Sequence, residues 1–313
     1  MSRPARHPLI PTRHGVSASC VALPAAKPGA EPWASVLDFL TERMPQPGRE
    51  GWTRRLERGE VLDEHGNALT PGAAYRGGTR IHYYRALADE VVVPFEESLI
   101  CHDEHLVVAD KPHFLPVTPG GRYVQQSLLV RLKRRLGIDT LSPVHRIDRE
   151  TAGLVLFSVR PLDRAAYQAL FRERLVEKWY EAIAPRGTTL AMPLLRRSRI
   201  VEEEGAFFRM NEVAGEPNSE TRVELMEQRG PWARYRLEPV TGKRHQLRVH
   251  MNALGLPIAG DRFYPRVLHG ADEAEDFANP LRLLARGLAF TDPVTGECRR
   301  FESSLGLEWP DPR

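Results

Sequence analysis

Strand-like apolar runs recur along this 313-residue chain without a helix after each of them, and this irregular alternation limits the fold more than any other feature. Leu106-Val107-Val108-Ala109 and Leu154-Val155-Leu156-Phe157 are short, wholly apolar and read as buried strands. Residues 178–184 alternate as a strand, and 221–228 with 232–240 read as a hairpin around Arg229-Gly230-Pro231. Helical spacing appears in 162–176, where Leu162, Ala166, Ala169 and Leu170 share a face. A doubly wound parallel sheet needs a helix after every strand. The pattern therefore predicts an α+β fold, with a mixed, largely antiparallel central sheet and flanking helices. The length predicts two domains, or one large domain with a small appendage. No apolar run approaches the roughly 20 residues that span a bilayer, which excludes a transmembrane protein.

Composition shifts divide the chain into three. Residues 1–32 carry Arg3, Arg6, Arg13 and Lys27 against Glu31 and are broken by six prolines from Pro4 to Pro32, which predicts a flexible basic tail. A transit peptide has similar composition. Residues 33–85 read as a small unit: Val36, Leu37, Phe39, Leu40 and Met44 form a helical stripe, Trp52 and Leu56 lie on a second helix bearing Arg54, Arg55 and Arg58, and short strands end at Ile81-His82-Tyr83. This unit resembles the small RNA-binding domain of ribosomal small-subunit protein four. Its other reading is a surface helix pair capping the main domain. Residues 86–313 are the main domain. The three cysteines, Cys20, Cys101 and Cys298, are odd in number and far apart, which predicts free thiols in a reducing cytoplasm.

The near-neutral total charge of +3 hides strong local imbalance. Of the 44 basic residues only 5 are Lys, leaving 39 Arg, a usage that fits either a GC-rich genome or a phosphate binder. Between 86 and 110 there are seven acids and no Lys or Arg. Between 111 and 149 eight basic residues (Lys111, Arg122, Arg131, Lys133, Arg134, Arg135, Arg146, Arg149) face only Asp139 and Asp148, a local balance of +6. Such a block is the footprint expected for a polyanion, and it predicts strong salt dependence of any polyanion binding. Part of it has a helical explanation: Ser127 caps a helix with Leu128, Leu129, Leu132 and Leu136 inward and Arg131, Arg134 and Arg135 outward.

The most informative segment is Pro143-Val144-His145-Arg146-Ile147-Asp148-Arg149-Glu150-Thr151-Ala152-Gly153, just before an apolar strand. Flanking cations favour an ionised Asp148, which on a loop held by a rigid sheet can act as nucleophile, base or ligand. A structural Arg–Asp pair gives the same spacing. A protein-kinase catalytic loop is excluded, because Gly153 stands where that loop needs Asn and no G-x-G-x-x-G loop exists. The segment resembles the H-R-L-D-x-x-T-S-G-L-L motif of the RluA branch of pseudouridine synthases. Asp110-Lys111-Pro112 with Leu115-Pro116-Val117, Lys178-Trp179-Tyr180, Thr241 to Met251 and Gly260-Asp261-Arg262-Phe263-Tyr264 follow in that family's order, so the likeness covers about residues 92–305. Departures are Ile147 for Leu, Ala152 for Ser, Phe114 where Gly is frequent, Leu283-Leu284-Ala285 without the family's His, and Phe290-Thr291-Asp292-Pro293 for F-x-H-P.

The resemblance implies the pseudouridine synthase fold and isomerisation of specific uridines in structured rRNA or tRNA. It assigns catalysis to Asp148, Tyr180 and Arg248: the carboxylate acts on the ribose, the tyrosine stacks on uracil, and the arginine pairs with the aspartate. It implies RNA contacts at His145, Arg146, Arg149, Lys111, Lys178, Lys243, Arg244 and His245. Arg146 would fill the gap left by the flipped base, and His145 would also order the loop. The isomerisation needs no redox step or group donor, so no cofactor is expected. No metal is expected either, since neither Cys101-His102 with His105 nor His245 with His250 has zinc-ligand spacing. The partner is RNA, the expected state a monomer and the expected location cytoplasmic. The alternative is a non-catalytic RNA-binding or RNA-folding protein on the same fold.

Overall fold

Central strands of this chain are buried on both faces, and the site grows from their ends. The computed structural model describes residues 10–25, 32–85, 90–187, 190–268 and 275–311. They form two units, residues up to Glu90 with Gly121–Gln125, and Val91–Gly120 with Gln126 onward.

The first unit holds β1 (Thr12–Arg13), β2 (Val16–Ser17), β3 (Ser19–Ala22), α1 (Val36–Arg43), α2 (Gly48–Glu57), β4 (Val61–Leu62) and β5 (Arg80–Tyr83). His14 and Gly15 both have positive φ, the twist that a two-residue hairpin between β1 and β2 requires. Ser35 and Asp38 close a capping box at the start of α1. Val36, Phe39, Leu40, Trp52, Leu56 and Ile81 pack as one core over the sheet β3-β5-β4. The described part of the predicted tail differs from expectation. Three short strands, β1 to β3, lie between Thr12 and Ala22, β3 pairs with β5, and Ile10, Val16 and Leu23 are buried. Arg3, Arg6 and Lys27 lie outside the described residues, as does Asp89.

The second unit continues with β6 (Ser98–His102), β7 (Leu106–Lys111), α3 (Leu128–Leu136), β8 (Ser142–Pro143), β9 (Ala152–Ser158), α4 (Arg164–Arg172), β10 (Glu177–Pro185), β11 (Leu194–Glu203), β12 (Ala206–Val213), β13 (Ser219–Arg229), β14 (Trp232–Pro239), α5 (Gln246–Ala253), β15 (Leu283–Thr291) and β16 (Cys298–Glu302). The main strand order is β12-β11-β13-β14-β10-β15-β9-β7-β6, with β8 added to β9 and β16 to β15. Among the described residues only β9 and β15 run parallel; the other pairs are antiparallel. This is the mixed, largely antiparallel sheet the sequence predicts.

Every residue of β7 and β9 is buried, which explains their continuous apolar runs. Tyr167 and Leu170 of α4 pack on Leu106, Val108, Leu154 and Leu156, while Leu247 and Met251 of α5 pack on Ala182, Val223, Tyr235 and Leu237. Ser127 stands at the N-cap of α3, but its side chain makes no capping bond. Arg131 departs from its expected outward orientation: its guanidinium donates to the carbonyls of Phe95 (2.7 Å) and Val93 (2.9 Å), and also bonds Gln126. Lys133 is buried.

Candidate active site

The loop between β8 and β9 is held from three sides. At its start, the backbone N–H of Leu156 donates to His145 Nε2 (3.1 Å), and the ring stacks on Phe171 at 4.4 Å. That bond makes Nε2 an acceptor, and burial pushes the imidazole down to about 3, so His145 is neutral. At its end, Lys111 Nζ donates to the carbonyl of Arg149 and His113 Nδ1 to that of Glu150 (3.0 and 2.6 Å). Lys111 has no exposed surface, and burial pushes it down to about 7 despite Glu150 and Asp148 nearby. The motif's glycine has a steric cause. Gly153 has a φ of +109°, and a Cβ there would lie 2.3 Å from the Ala285 carbonyl oxygen on β15.

Within this frame Asp148 meets α5. Arg248 is 1% exposed and forms a two-point bond to Asp261, with both N–H···O distances 2.7 Å. Its remaining nitrogen reaches Asp148 Oδ2 at 3.3 Å and lies 3.8 Å from Glu150. Burial opposes the charge of Arg248, but the Asp261 bonds and the neighbouring carboxylates outweigh it and raise the guanidinium further. Glu150 behaves alike: burial pushes it up, yet Arg149 and Arg248 hold it down at about 2. Asp261 is itself fixed by the backbone N–H groups of Phe263 and Tyr264. A fully satisfied ion cluster thus aims one spare N–H at a carboxylate whose side chain is 26% exposed.

Tyr180 on β10 is half-buried against the α5 core, and burial together with the Asp148 charge raises its hydroxyl. Its neighbour Trp179 points to the other face, with Arg236 and Arg300 over its ring at 5.5 and 4.3 Å. Asp148, Arg248, Tyr180 and His245 come together. The other expected RNA contacts divide. Arg146, Lys243 and Arg244 are exposed, and Lys178 is partly buried. Lys111 and His145 serve the loop as described, and Arg149 bonds Glu150 and Glu275 at 2.9 and 2.6 Å. His245 is 7% exposed, with Nε2 3.8 Å from Asp148. Sequence reasoning missed Asp261, Glu150 and His113. For Asp261 a signal existed, because it follows Gly260 in a recognised block. Cys101 and His105 serve different partners, Asp103 with Arg299 and Asp163 respectively.

Residues 105–253 match the family described as RNA pseudouridylate synthase. The dual-specificity RNA pseudouridine synthase RluA of Pasteurella multocida is 33% identical over 66% of this chain and 91% of its own length. The chain belongs to the RNA pseudouridine synthase family. The ribosomal large subunit pseudouridine synthase C of Vibrio vulnificus is 30% identical over 69% of this chain and 68% of its own. The human RNA pseudouridylate synthase domain containing 1 shares the fold, with a TM-score of 0.55 at 24% identity over 69% of this chain and 84% of that one. This member of the family is therefore an isomerase that converts uridine in RNA to pseudouridine. The matched stretch takes in Asp148, Tyr180 and Arg248 and ends before Asp261. Phe114, the departure from the family's glycine, has a φ of +65° and is 1% exposed, enclosed by Phe95 and Phe277 at 6.0 and 5.2 Å. No helix among the described residues is long and apolar enough to cross a membrane.

Proposed function

We propose that this synthase acts on a uridine flipped out of structured rRNA or tRNA, with Asp148 as the carboxylate that attacks or deprotonates the ribose. A glycosidic bond inside a helical stack is out of reach, so the base must leave it. The observation that carries this reading is the pairing of a partly exposed Asp148 with a fully buried Arg248, at 3.3 Å. Arg248 keeps the carboxylate oriented while leaving its outer edge open to substrate. Breaking the bond from N1 to C1′ frees uracil to turn and rejoin C1′ through C5, after which C5 gives up its proton. Tyr180 offers a ring for stacking and an oxygen near that proton. Its raised hydroxyl stays protonated at neutral pH, so it accepts the C5 proton only as its own proton moves on.

In this reading Arg146, Lys243 and Arg244, all exposed, meet RNA phosphates, and Arg146 occupies the gap in the stack. The first unit adds binding surface through Arg54 and Arg58 of and beside α2, which face solvent. The enzyme works as a cytoplasmic monomer without cofactor or metal. The deciding experiment is tritium release from RNA labelled at C5 of uridine. Asp148→Asn should abolish release while RNA affinity stays within about twofold of wild type, since no phosphate contact is removed. Normal release by that variant refutes the assignment. Carbodiimide sequencing of RNA from a deletion strain then identifies the uridine.

A further inference from the structure

His245 was expected at the RNA surface, yet its side chain is 5% exposed and turned to Asp148. Its tautomer follows from counting bonds at the Tyr264 hydroxyl. That oxygen donates its one hydrogen to the carbonyl of Met210 (3.0 Å) and accepts from the Met210 N–H (2.8 Å). Toward His245 Nδ1, at 3.1 Å, it has only a lone pair left, so Nδ1 must carry the hydrogen. Burial opposes a charge on the ring, outweighing Asp148 and Glu150, which favour it, while Arg248 and Arg244 add to the opposition. The neutral ring then leaves a lone pair on Nε2, 3.8 Å from Asp148 Oδ2. No hydrogen bond among the described residues reaches Nε2. Two acceptors face each other at a spacing that suits a hydrogen-bond donor reaching the pair. His245 holds this pose with a φ of +53° and stacks on Phe263 at 5.8 Å, so the ring is fixed before substrate arrives.

Resting on the reading of Asp148 as the acting carboxylate, we propose that His245 Nε2 accepts the 2′-hydroxyl of the reacting ribose. A carboxylate acting at C1′ or C2′ sits one or two bonds from the 2′-oxygen, which brings that hydroxyl to the lone pair beside it. His245 thereby reads RNA against DNA at the nucleotide where chemistry occurs.

The test uses synthetic hairpin RNA carrying the uridine that the wild-type chain converts, with either ribose or 2′-deoxyribose at that one position. The ratio of the two kcat/KM values from tritium release is compared between enzymes. Wild type should prefer ribose about tenfold or more, the scale of one lost hydrogen bond at a desolvated group. His245→Leu should bring the ratio below twofold by losing rate on ribose, and His245→Gln, whose side-chain oxygen still accepts, should keep at least threefold. Tyr264→Phe, which frees the ring to take the other tautomer, should lower the ratio without touching substrate, and serves if the leucine variant fails to fold by circular dichroism. A wild-type ratio below twofold overturns the proposal, as does an undiminished preference in whichever of His245→Leu and Tyr264→Phe folds. If instead Asp148→Asn converts RNA normally, the reading of the site itself falls.

Discussion

Two stretches of the same basic block meet different fates. On α3, Arg131 is consumed by the backbone of residues 93 and 95, Lys133 is buried, and Arg135 donates to the Glu97 carbonyl at 3.2 Å. In the loop before β9, Arg146 is exposed while Arg149 bonds two glutamates. The local balance of +6 is therefore not a single footprint for a polyanion. A guanidinium has five donors in a fixed fork, which suits it equally to phosphates and to tying loops to helices. The acidic stretch that precedes the block supplies part of the demand, since Glu97 also meets Arg131 at 3.3 Å. Charge counting finds the basic residues; only partner counting separates those that hold the protein from those that stay exposed.

The sharpest way to break this division is at its buried extreme. Arg248→Met should destabilise the fold by about 3–5 kcal/mol, because Asp261 is left buried and charged without its partner. Release of tritium should be lost in the same variant. Urea unfolding measures the first effect, and a stable but inactive variant would mean that the cluster serves chemistry alone. Arg131→Ala comes next. It leaves the carbonyls of Val93 and Phe95 unmet and should cost about 1–3 kcal/mol. RNA affinity in filter binding should stay within twofold, and a tenfold drop would return Arg131 to the RNA face.

Buried titratable groups give the same division a pH signature. His113, His145 and His250 are pushed by burial to about 4, 3 and 4, from an ordinary 6.5. Glu150 stands at about 2, where Arg149 and Arg248 overcome burial, against an ordinary 4.5. In each case the unfolded chain binds the proton first as pH falls. The histidine contribution is complete above 6.5 and lost on descent toward 3–4, and that of Glu150 is complete above 4.5 and lost toward 2. Lys111 adds a slope on the other side: folded, it releases its proton near 7, unfolded near 10.5, so stability rises between those values. Urea midpoints at several pH values should show both limbs, with Lys111→Met flattening the alkaline one only. An unchanged alkaline limb would mean Lys111 is charged in the folded state throughout.

What could be read in advance follows from range along the chain. The strands at 106–109 and 154–157, the helix within 162–176 and the hairpin of 221–228 with 232–240 are local patterns, and they appear as β7, β9, α4 and β13–β14. The β11–β12 hairpin was not foreseen, because β11 is half exposed and rich in Arg rather than apolar. Strands β1 to β3 were hidden by proline-rich composition, although Pro11 and Pro24 flank those strands rather than interrupt them. Asp148 with Arg248 was legible through the family's blocks, a hundred residues apart in sequence. The bond from Arg248 to Asp261 and the target of Arg131 were not, since nothing in spacing states which carboxylate or carbonyl a guanidinium will meet. For the same reason spacing does not show that Arg149 meets Glu150 and Glu275, or that His245 turns to Asp148.

The smallest expected effect tests the other extreme, the cations with nothing to hold. Lys243 lies in the turn before α5 whose geometry is set by Gln246, which accepts from Thr241 Oγ1 and the Lys243 N–H at 2.6 and 3.0 Å. The backbone fixes where Lys243 sits, and its exposed side chain contributes nothing to that fixation. Lys243→Ala should therefore leave stability within about 0.5 kcal/mol of wild type. If the ammonium meets one phosphate, affinity falls about threefold at moderate salt, and the slope of log affinity against log salt shrinks by about 0.7–0.9. If Arg146 fills the gap left by the flipped base, as proposed, Arg146→Ala should show the same change in slope with an added loss of kcat. Equal slopes for Lys243→Ala and wild type would remove this residue from the RNA face. Arg146 and Arg244, with whatever the first unit contributes, would then remain as the exposed cations proposed to meet phosphates.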